Sequence, residues 1–299
     1  MKKIYFFAAL AFGITVFASC TNGKNKGENK DGDSTEQNVT KSEEGEKIGS
    51  MGSFTVSEGT PFEYVDNIEY VLYPSNYASA MEEGKDFRDA TSVYYKASID
   101  EAGDKTTKLM GKEVSYPNNL LIPIYKDAKA QKGDVVLTWW QSGSGLQRAI
   151  VTDDSDPTMP KVHYLDLNYN ADGEGLAQRH DNEQLKPNSF VVLKNGEFQP
   201  GAPLVVKDDG KFTEGILVKV VGDKVLYLGF ASALKEADKS AVKVLPVKPN
   251  ISVGDNVKGE FVGSFSKDCK VTKIDNKIGR VWVKDGDKEE VLSILQVMK

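Results

Sequence analysis

Three stretches of the chain begin alike, and their recurrence constrains the fold more than any other feature. Gly133-Asp134-Val135, Gly201-Ala202-Pro203-Leu204 and Gly254-Asp255-Asn256-Val257 each open a unit. In each, a loop leads to a small residue and an alternating run: Ala149-Ile150-Val151, Gly215-Ile216-Leu217-Val218 and Cys269-Lys270-Val271. A turn carrying Asp or Gly then precedes a further run: Val162-His163-Tyr164, Lys224-Val225-Leu226-Tyr227 and Val281-Trp282-Val283. Self-similarity at about fifty to seventy residues marks repeated modules. That length fits a five-stranded barrel, where a small residue lets the second strand pack closely on a bent first strand.

Alternation and β-branched residues bounded by turn signals predict strands at 135–139, 149–152, 162–167, 190–193, 204–206, 216–221, 225–230, 242–247, 271–274, 280–284 and 291–295. No long amphipathic helix competes with them, so the expected class is all-β. The expected units are 130–196, 197–248 and 249–299. Residues 54–129 are expected to form a further β-rich unit or an embellishment packed on the first barrel. Within them 70–73, 92–95 and 120–124 read as strands and 78–89 as a short helix.

The first unit resembles a Tudor-type domain. The resemblance rests on Gly133-Asp134, Trp140, Arg148-Ala149-Ile150-Val151, Val162-His163-Tyr164-Leu165-Asp166 and the closing Leu185-Lys186-Pro187. It covers 130–195 well and the last two units in outline, which makes the expected architecture serial small SH3-like or Tudor-like barrels. In that family an aromatic cage between the first loop and strand three holds methylated Lys or Arg by cation–π contact. Trp140 and Tyr164 match two cage positions, Gln147 and Leu167 occupy the other two, and Tyr169 stands close by in sequence. Half a cage argues against methyl-lysine reading. Trp140, Tyr164 and Tyr169 are expected instead to line a shallow groove for a peptide or glycan, the alternative being that these rings close the ends of a small core.

The amino terminus speaks to location. Lys2 and Lys3 precede an almost unbroken apolar run over 4–17, and Ala18-Ser19 lead to Cys20. The run is too short to span a bilayer stably, and the order of charge, apolar core and small residues is that of a secretory signal peptide. The ending resembles the bacterial lipoprotein signal, with Phe17 where Leu is commoner. It implies removal of 1–19, a diacylglycerol (palmitate) lipid on Cys20, and a place on the cell envelope, expected at the outer membrane. Residues 20–53 are polar and nearly free of large apolar side chains, the composition of a flexible tether. Asp33-Ser34-Thr35 within it resembles a short bacterial O-glycosylation acceptor. With Cys20 lipidated, the one other cysteine, Cys269, has no partner for a disulfide, and its place matches Ala149 and Gly215, so it reads as core.

Several chemistries lack their residues. Ser142-Gly143-Ser144-Gly145 joins two strands and has neither the strand-to-helix context of a nucleophile elbow nor the ending of a phosphate loop. Asp166, Asn168, Asn170 and Asp172 alternate before Gly173 like the start of a calcium loop, but counting from Asn168 puts Arg179 where the closing acid belongs, so a long hairpin turn is expected. Asp153, Asp154 and Asp156 read as an acidic, solvated turn. Two histidines, His163 and His180, are too few for a structural zinc site, and no metal or cofactor is expected. A net charge of −6 does not favour nucleic acid. The expected function is that of a non-enzymatic, lipid-anchored envelope binding or scaffold protein that recognises a protein or an envelope polymer. The alternative, a peptide or glycan hydrolase, requires carboxylates such as Asp134 and Asp166 to converge.

Overall fold

In the computed structural model residues 59–142 and 145–299 are described. The expected signal peptide, Cys20, the expected tether and the Asp33-Ser34-Thr35 motif lie outside the described residues, as do Gly143 and Ser144 of the Ser-Gly loop.

The first strands are Ile68–Pro74 (β1), Tyr94–Ala97 (β2), Ile99–Ala102 (β3), Thr106–Leu109 (β4), Ser115–Pro117 (β5) and Ile122–Tyr125 (β6). They form two three-stranded sheets, β2-β1-β6 and β3-β4-β5. The expected helix over 78–89 is shorter: α1 spans Tyr77–Glu83 and ends at Gly84, whose φ of 65° lets its N–H close back on Ala80 and Met81. A left-handed glycine stops a helix, and the chain continues into a separate 3-10 turn, Phe87–Asp89.

The strands that follow are Val135–Trp139 (β7), Leu146–Asp153 (β8), Lys161–Tyr164 (β9), Glu183–Gln184 (β10), Val191–Val192 (β11), Pro203–Asp208 (β12), Lys211–Val221 (β13), Lys224–Leu228 (β14), Leu234–Asp238 (β15), Val242–Val244 (β16), Asn256–Phe261 (β17), Ser264–Asp275 (β18), Arg280–Asp285 (β19), Lys288–Ser293 (β20) and Val297–Met298 (β21). They pair in one repeated antiparallel order: β11-β7-β8-β9-β10, then β16-β12-β13-β14-β15, then β21-β17-β18-β19-β20. In each group the fifth strand returns beside the first, the topology of a small SH3-like barrel. The second and third groups share a ladder contact, Thr213 opposite Ser264.

The same hydrogen bonds begin each barrel. Gly133, Gly201 and Gly254 donate to Val151, Leu217 and Val271, which donate back to Asp134, Ala202 and Asp255, all at 2.8–3.0 Å. The three glycines have φ of 85°, 89° and 94°, a conformation that side chains resist. Directly after each paired residue the register of strand two against strand three slips, at 151/153, 217/219 and 271/273. That bulge bends the second strand around its barrel. The third strands align two residues away from where sequence similarity puts them: Val162 sits opposite Val151 as Tyr227 does Leu217 and Val283 does Val271. A shift of two preserves which face each side chain occupies, so the hydrophobic pattern alone cannot detect it.

The small residues Ala149, Gly215 and Cys269 stand opposite Val136, Leu204 and Val257. At Gly215 a β-carbon would come within 2.7 Å of the Tyr227 ring. Gly215→Ala is therefore expected to lower stability by about 1–2 kcal/mol, read from the thermal midpoint. Cys269 is buried, and burial pushes its thiol above the ordinary range. That environment disfavours the reactive thiolate.

Val136, Ala149, Val151, Val162, Tyr164, Leu185 and Phe190 fill the first barrel. The alternate residues Val135, Leu137, Trp139 and Ile150 face outward into a larger core shared with Val71, Leu72 and Ile122 of the first sheet and Val218 and Leu226 of the second barrel. Both faces of β7 are thus covered, which accounts for its burial throughout and for Thr138, its one polar residue, donating its hydroxyl to the Ser189 carbonyl. Residues 59–129 pack on the outside of the first barrel, where Tyr70 meets Trp139 edge-on at 5.5 Å. They also touch the second barrel, Ser92 N–H donating to Ser232.

Candidate functional site

Strand register places the side chains at the mouth of the first barrel. Thr138 pairs with Gln147, Ala149 with Tyr164, and Val162 with Glu183. Residues directly opposite each other share a face, and so do residues two apart on one strand. Gln147, Tyr164 and Glu183 therefore lie on the inward face with Ala149, Val151 and Val162. Beyond β7 the chain folds over this end, Trp140 N–H donating to Gly145 at 3.2 Å.

The Tyr164 hydroxyl organises the mouth. It accepts from the Gln141 N–H at 3.1 Å and donates to the Trp139 carbonyl at 3.3 Å. Burial, and then a side-chain hydrogen bond with Glu183, hold its pKa far above the ordinary phenol value. The Gln141 side-chain amide donates to the Trp139 carbonyl at 3.1 Å and to Thr138 Oγ1 at 3.3 Å, and Thr138 in turn donates to Ser189 at 2.7 Å. Trp140 packs on the barrel core and meets His180 edge-on, ring centroids 4.6 Å apart.

Four buried polar atoms here have no hydrogen-bond partner among the described residues: Trp140 Nε1, Gln141 Oε1, Gln147 Oε1 and Glu183 Oε2. They are half of the eight such side-chain atoms found there, and burying an unpaired polar atom costs about 1–3 kcal/mol. Buried polar atoms are as a rule paired, so four at one end of one barrel set it apart from the rest of the described residues.

The expected aromatic trio is corrected in two respects. Trp140 packs against the cluster that holds Tyr164, but Tyr164 is wholly buried and serves as barrel core rather than as a stacking surface. Tyr169 lies elsewhere: its ring meets His163 at 5.6 Å and Trp282 of the third barrel at 6.2 Å, with the Arg280 guanidinium 5.1 Å away. His163 and Tyr164 are neighbours on a strand and point to opposite faces, so a ring touching His163 belongs to the outside of the barrel. Gln141, His180 and Glu183 were not legible as site residues. Only Gln147, standing at an aromatic position of the Tudor pattern, signalled a polar mouth.

On that outer side the third barrel meets the first. Arg280 is buried and donates to the carbonyls of Tyr164, Leu165 and Leu167 and, at 3.3 Å, to His163 Nε2. His163 Nδ1 faces Asp181 at 3.0 Å, so the ring is neutral with its proton on Nδ1. Burial and then the Arg280 charge pull the His163 pKa down, while burial lowers that of Arg280 to about 10. Arg148 forks onto Asp166 at 2.6 Å. Beside them a cleft of about 690 Å³ runs between Asp166, Tyr169 and Asp172 of the first barrel and Glu260, Arg280 and Glu289 of the third.

The carboxylates of the hydrolase alternative are held apart. Asp134 is tied to Gln131 and Lys248 where β7 begins, beside Val151, whereas Asp166 is bound by Arg148 at the other end of β8. The segment after Asp166 is also not a simple hairpin turn. It includes a helical turn, α2 (Leu176–Arg179), with Ala177 N–H donating to Asn168. Asp172 accepts from the Glu174 amide at 3.0 Å. The acidic turn closes on itself likewise, Asp153 on Ser155 and Asp156 on Thr158.

The chain is a protein of serial small β-barrels with SH3-like strand order. No family model and no curated protein matches it. Among solved structures it is similar to the crystal structure of the ADCP1 tandem Agenet domain 3-4, at 20% identity over 34% of this chain and 79% of that one, with a TM-score of 0.20. The class rests on the threefold strand order.

Proposed function

We propose that this protein is a lipid-anchored binding or scaffold protein of the bacterial cell envelope, without catalytic activity, held at the outer membrane by a lipid on Cys20. Its partner is an envelope protein or polymer, taken up at the mouth of the first barrel. The observation that carries the binding reading is the group of unpartnered polar atoms on Trp140, Gln141, Gln147 and Glu183 around the Tyr164 hydroxyl. The anchoring reading is supported by the order Lys2-Lys3, apolar run, Ala18-Ser19-Cys20.

Two measurements test the two halves separately. Metabolic labelling with a fatty acid is expected to mark the wild-type protein and not Cys20→Ala, which should also leave the membrane fraction. An unlabelled wild type would refute the anchor. For binding, the wild-type protein is expected to retain an envelope component that Trp140→Ala holds about 1–3 kcal/mol more weakly, the usual cost of truncating an aromatic anchor. A variant that loses melting temperature but retains the component equally well would make Trp140 a packing residue only.

A further inference from the structure

Two clefts follow the same strand of successive barrels. Among the described residues β15 of the second barrel and β20 of the third pair on one side only, with β14 and with β19. A cleft of about 700 Å³ beside Asp86 and Arg88 is lined by 234–238, the whole of β15. The cleft of about 690 Å³ between the third barrel and residues 165–172 is lined by 289–292 of β20. Side chains alternate between the faces of a strand, so a run of consecutive residues lines one cleft where the strand turns its edge to it. The cleft along β15 mixes carboxylates with lysines, whereas that along β20 is nearly of one sign.

Hydrogen-bond phase shows what the β20 edge offers. Ile294 N–H donates to the Gly279 carbonyl at 3.0 Å. Bonded and unbonded pairs alternate along an antiparallel ladder, so Leu292 with Val281 and Glu290 with Val283 are the bonded pairs. Val291, opposite Trp282, and Glu289, opposite Lys284, therefore turn both N–H and C=O away from β19. Ser293 is next in that phase and gives its N–H to Gln296 Oε1 at 2.9 Å, which ends the free edge. Glu289 is exposed and Val291 half-buried, so solvent reaches this backbone. Five carboxylates line the cleft, those of Asp166, Asp172, Glu260, Glu289 and Glu290, against the guanidinium of Arg280. Arg148 pairs with Asp166 and Lys288 with Glu290, and an excess of negative charge remains.

We propose that this cleft takes an extended, basic segment of another protein as an added strand on β20. Its backbone pairs with the N–H and C=O groups of Glu289 and Val291, and its Lys or Arg side chains meet the carboxylates along the walls. A free strand edge invites pairing, and the sign of the cleft selects the partner. A second copy of this chain would set Glu289 and Glu290 against like charges. A glycan has no strand backbone to offer. No three acidic side chains converge as a metal site among the described residues, so the charge is spread along the cleft, as a spaced row of cations requires. This site lies apart from the mouth of the first barrel, and neither reading depends on the other.

The test is a titration of the full chain with the peptide acetyl-Lys-Val-Lys-Val-Lys-amide, followed at the backbone amide resonances of Glu289 and Val291. Both are expected to shift saturably and to exchange their protons more slowly once paired. The same peptide with Glu in place of Lys should leave them unmoved at the same concentrations. The lysine peptide N-methylated at its three middle residues keeps every charge but loses strand donors, and it should bind at least about tenfold more weakly. Reversing the edge with Glu289→Lys and Glu290→Lys together should also weaken the lysine peptide at least about tenfold, with the thermal midpoint reporting that the fold is kept. Equal binding of the methylated peptide would overturn strand addition and leave charge attraction alone. Equal binding of the glutamate peptide would overturn the basic partner, and no shift with the lysine peptide would overturn the site.

Discussion

Arg280→Ala is expected to lower the stability of the folded chain by about 3–5 kcal/mol, the largest effect of any single substitution considered for this protein. The guanidinium is almost wholly buried, and its donors reach three main-chain carbonyls, Tyr164, Leu165 and Leu167, besides the ring of His163. Those carbonyls belong to the end of β9 and the loop after it. Removing the side chain leaves several buried acceptors unpaired at once, and each carries its own desolvation penalty. It also loosens the fit of the third barrel on the first. Gly279, next in the chain, turns with φ of 64° so closely that a β-carbon there would come within 2.8 Å of Leu165. Arg280→Lys should recover little, because one ammonium with three donors cannot reproduce a planar fork that spans carbonyls and an imidazole together. Urea denaturation of both variants measures the loss. A cost below about 1 kcal/mol for Arg280→Ala would mean that solvent readily replaces the guanidinium, and that the barrels are not held by it.

What the sequence revealed and what it concealed divide along physical lines. Gly133, Gly201 and Gly254 were legible because each meets a backbone requirement, a left-handed turn into strand one, that few other residues satisfy. The run Val135–Trp139 was legible as a strand because both its faces are buried. β10 was not, since two residues, Glu183 and Gln184, are too few to show any period. With it went Glu183 as a site residue. The face of Tyr164 could have been read from the alternation Val162-His163-Tyr164, which puts the tyrosine with the valine inside the barrel. The resemblance to a cage drew it outward instead. Tyr169 lies past the end of β9, where alternation no longer predicts direction, and its meeting with Trp282 depends on how two barrels dock. Arg280 was read as the first residue of a strand, which it is. Its partners are carbonyl oxygens, which every residue carries, so no spacing or motif announces them.

Glu214→Gln is expected to stabilise the protein by about 2–3 kcal/mol at pH 8 and by nothing at pH 4. Glu214 stands where the second barrel meets the third: its N–H donates to the Gly263 carbonyl at 3.0 Å, and the Gly263 N–H donates to Glu260 at 2.6 Å. Burial, then the charge of Glu260, raises its pKa from 4.5 to about 7, with Asp166 adding to the rise and Arg148 opposing it. Below pH 4.5 the group is protonated whether the chain is folded or not, and it contributes nothing. Between about 4.5 and 7 the unfolded chain ionises while the folded one holds its proton, so stability falls as pH rises, and above 7 the full penalty remains. Solvent screening at a half-buried side chain keeps that penalty below the full value of the shift. His163 has the opposite slope: its lowered pKa makes the folded state favour the neutral ring, and stability is lost as pH falls below 6.5. A proton on Nε2 would also face the Arg280 N–H, donor against donor. The two groups offset each other in the wild type between about pH 4.5 and 6.5, but His163 is common to both proteins and cancels in the difference between variant and wild type. Urea titrations at pH 4, 6 and 8 should therefore give a difference that grows with pH. A constant difference across that range would trace the effect to packing at the barrel junction rather than to the charge on Glu214.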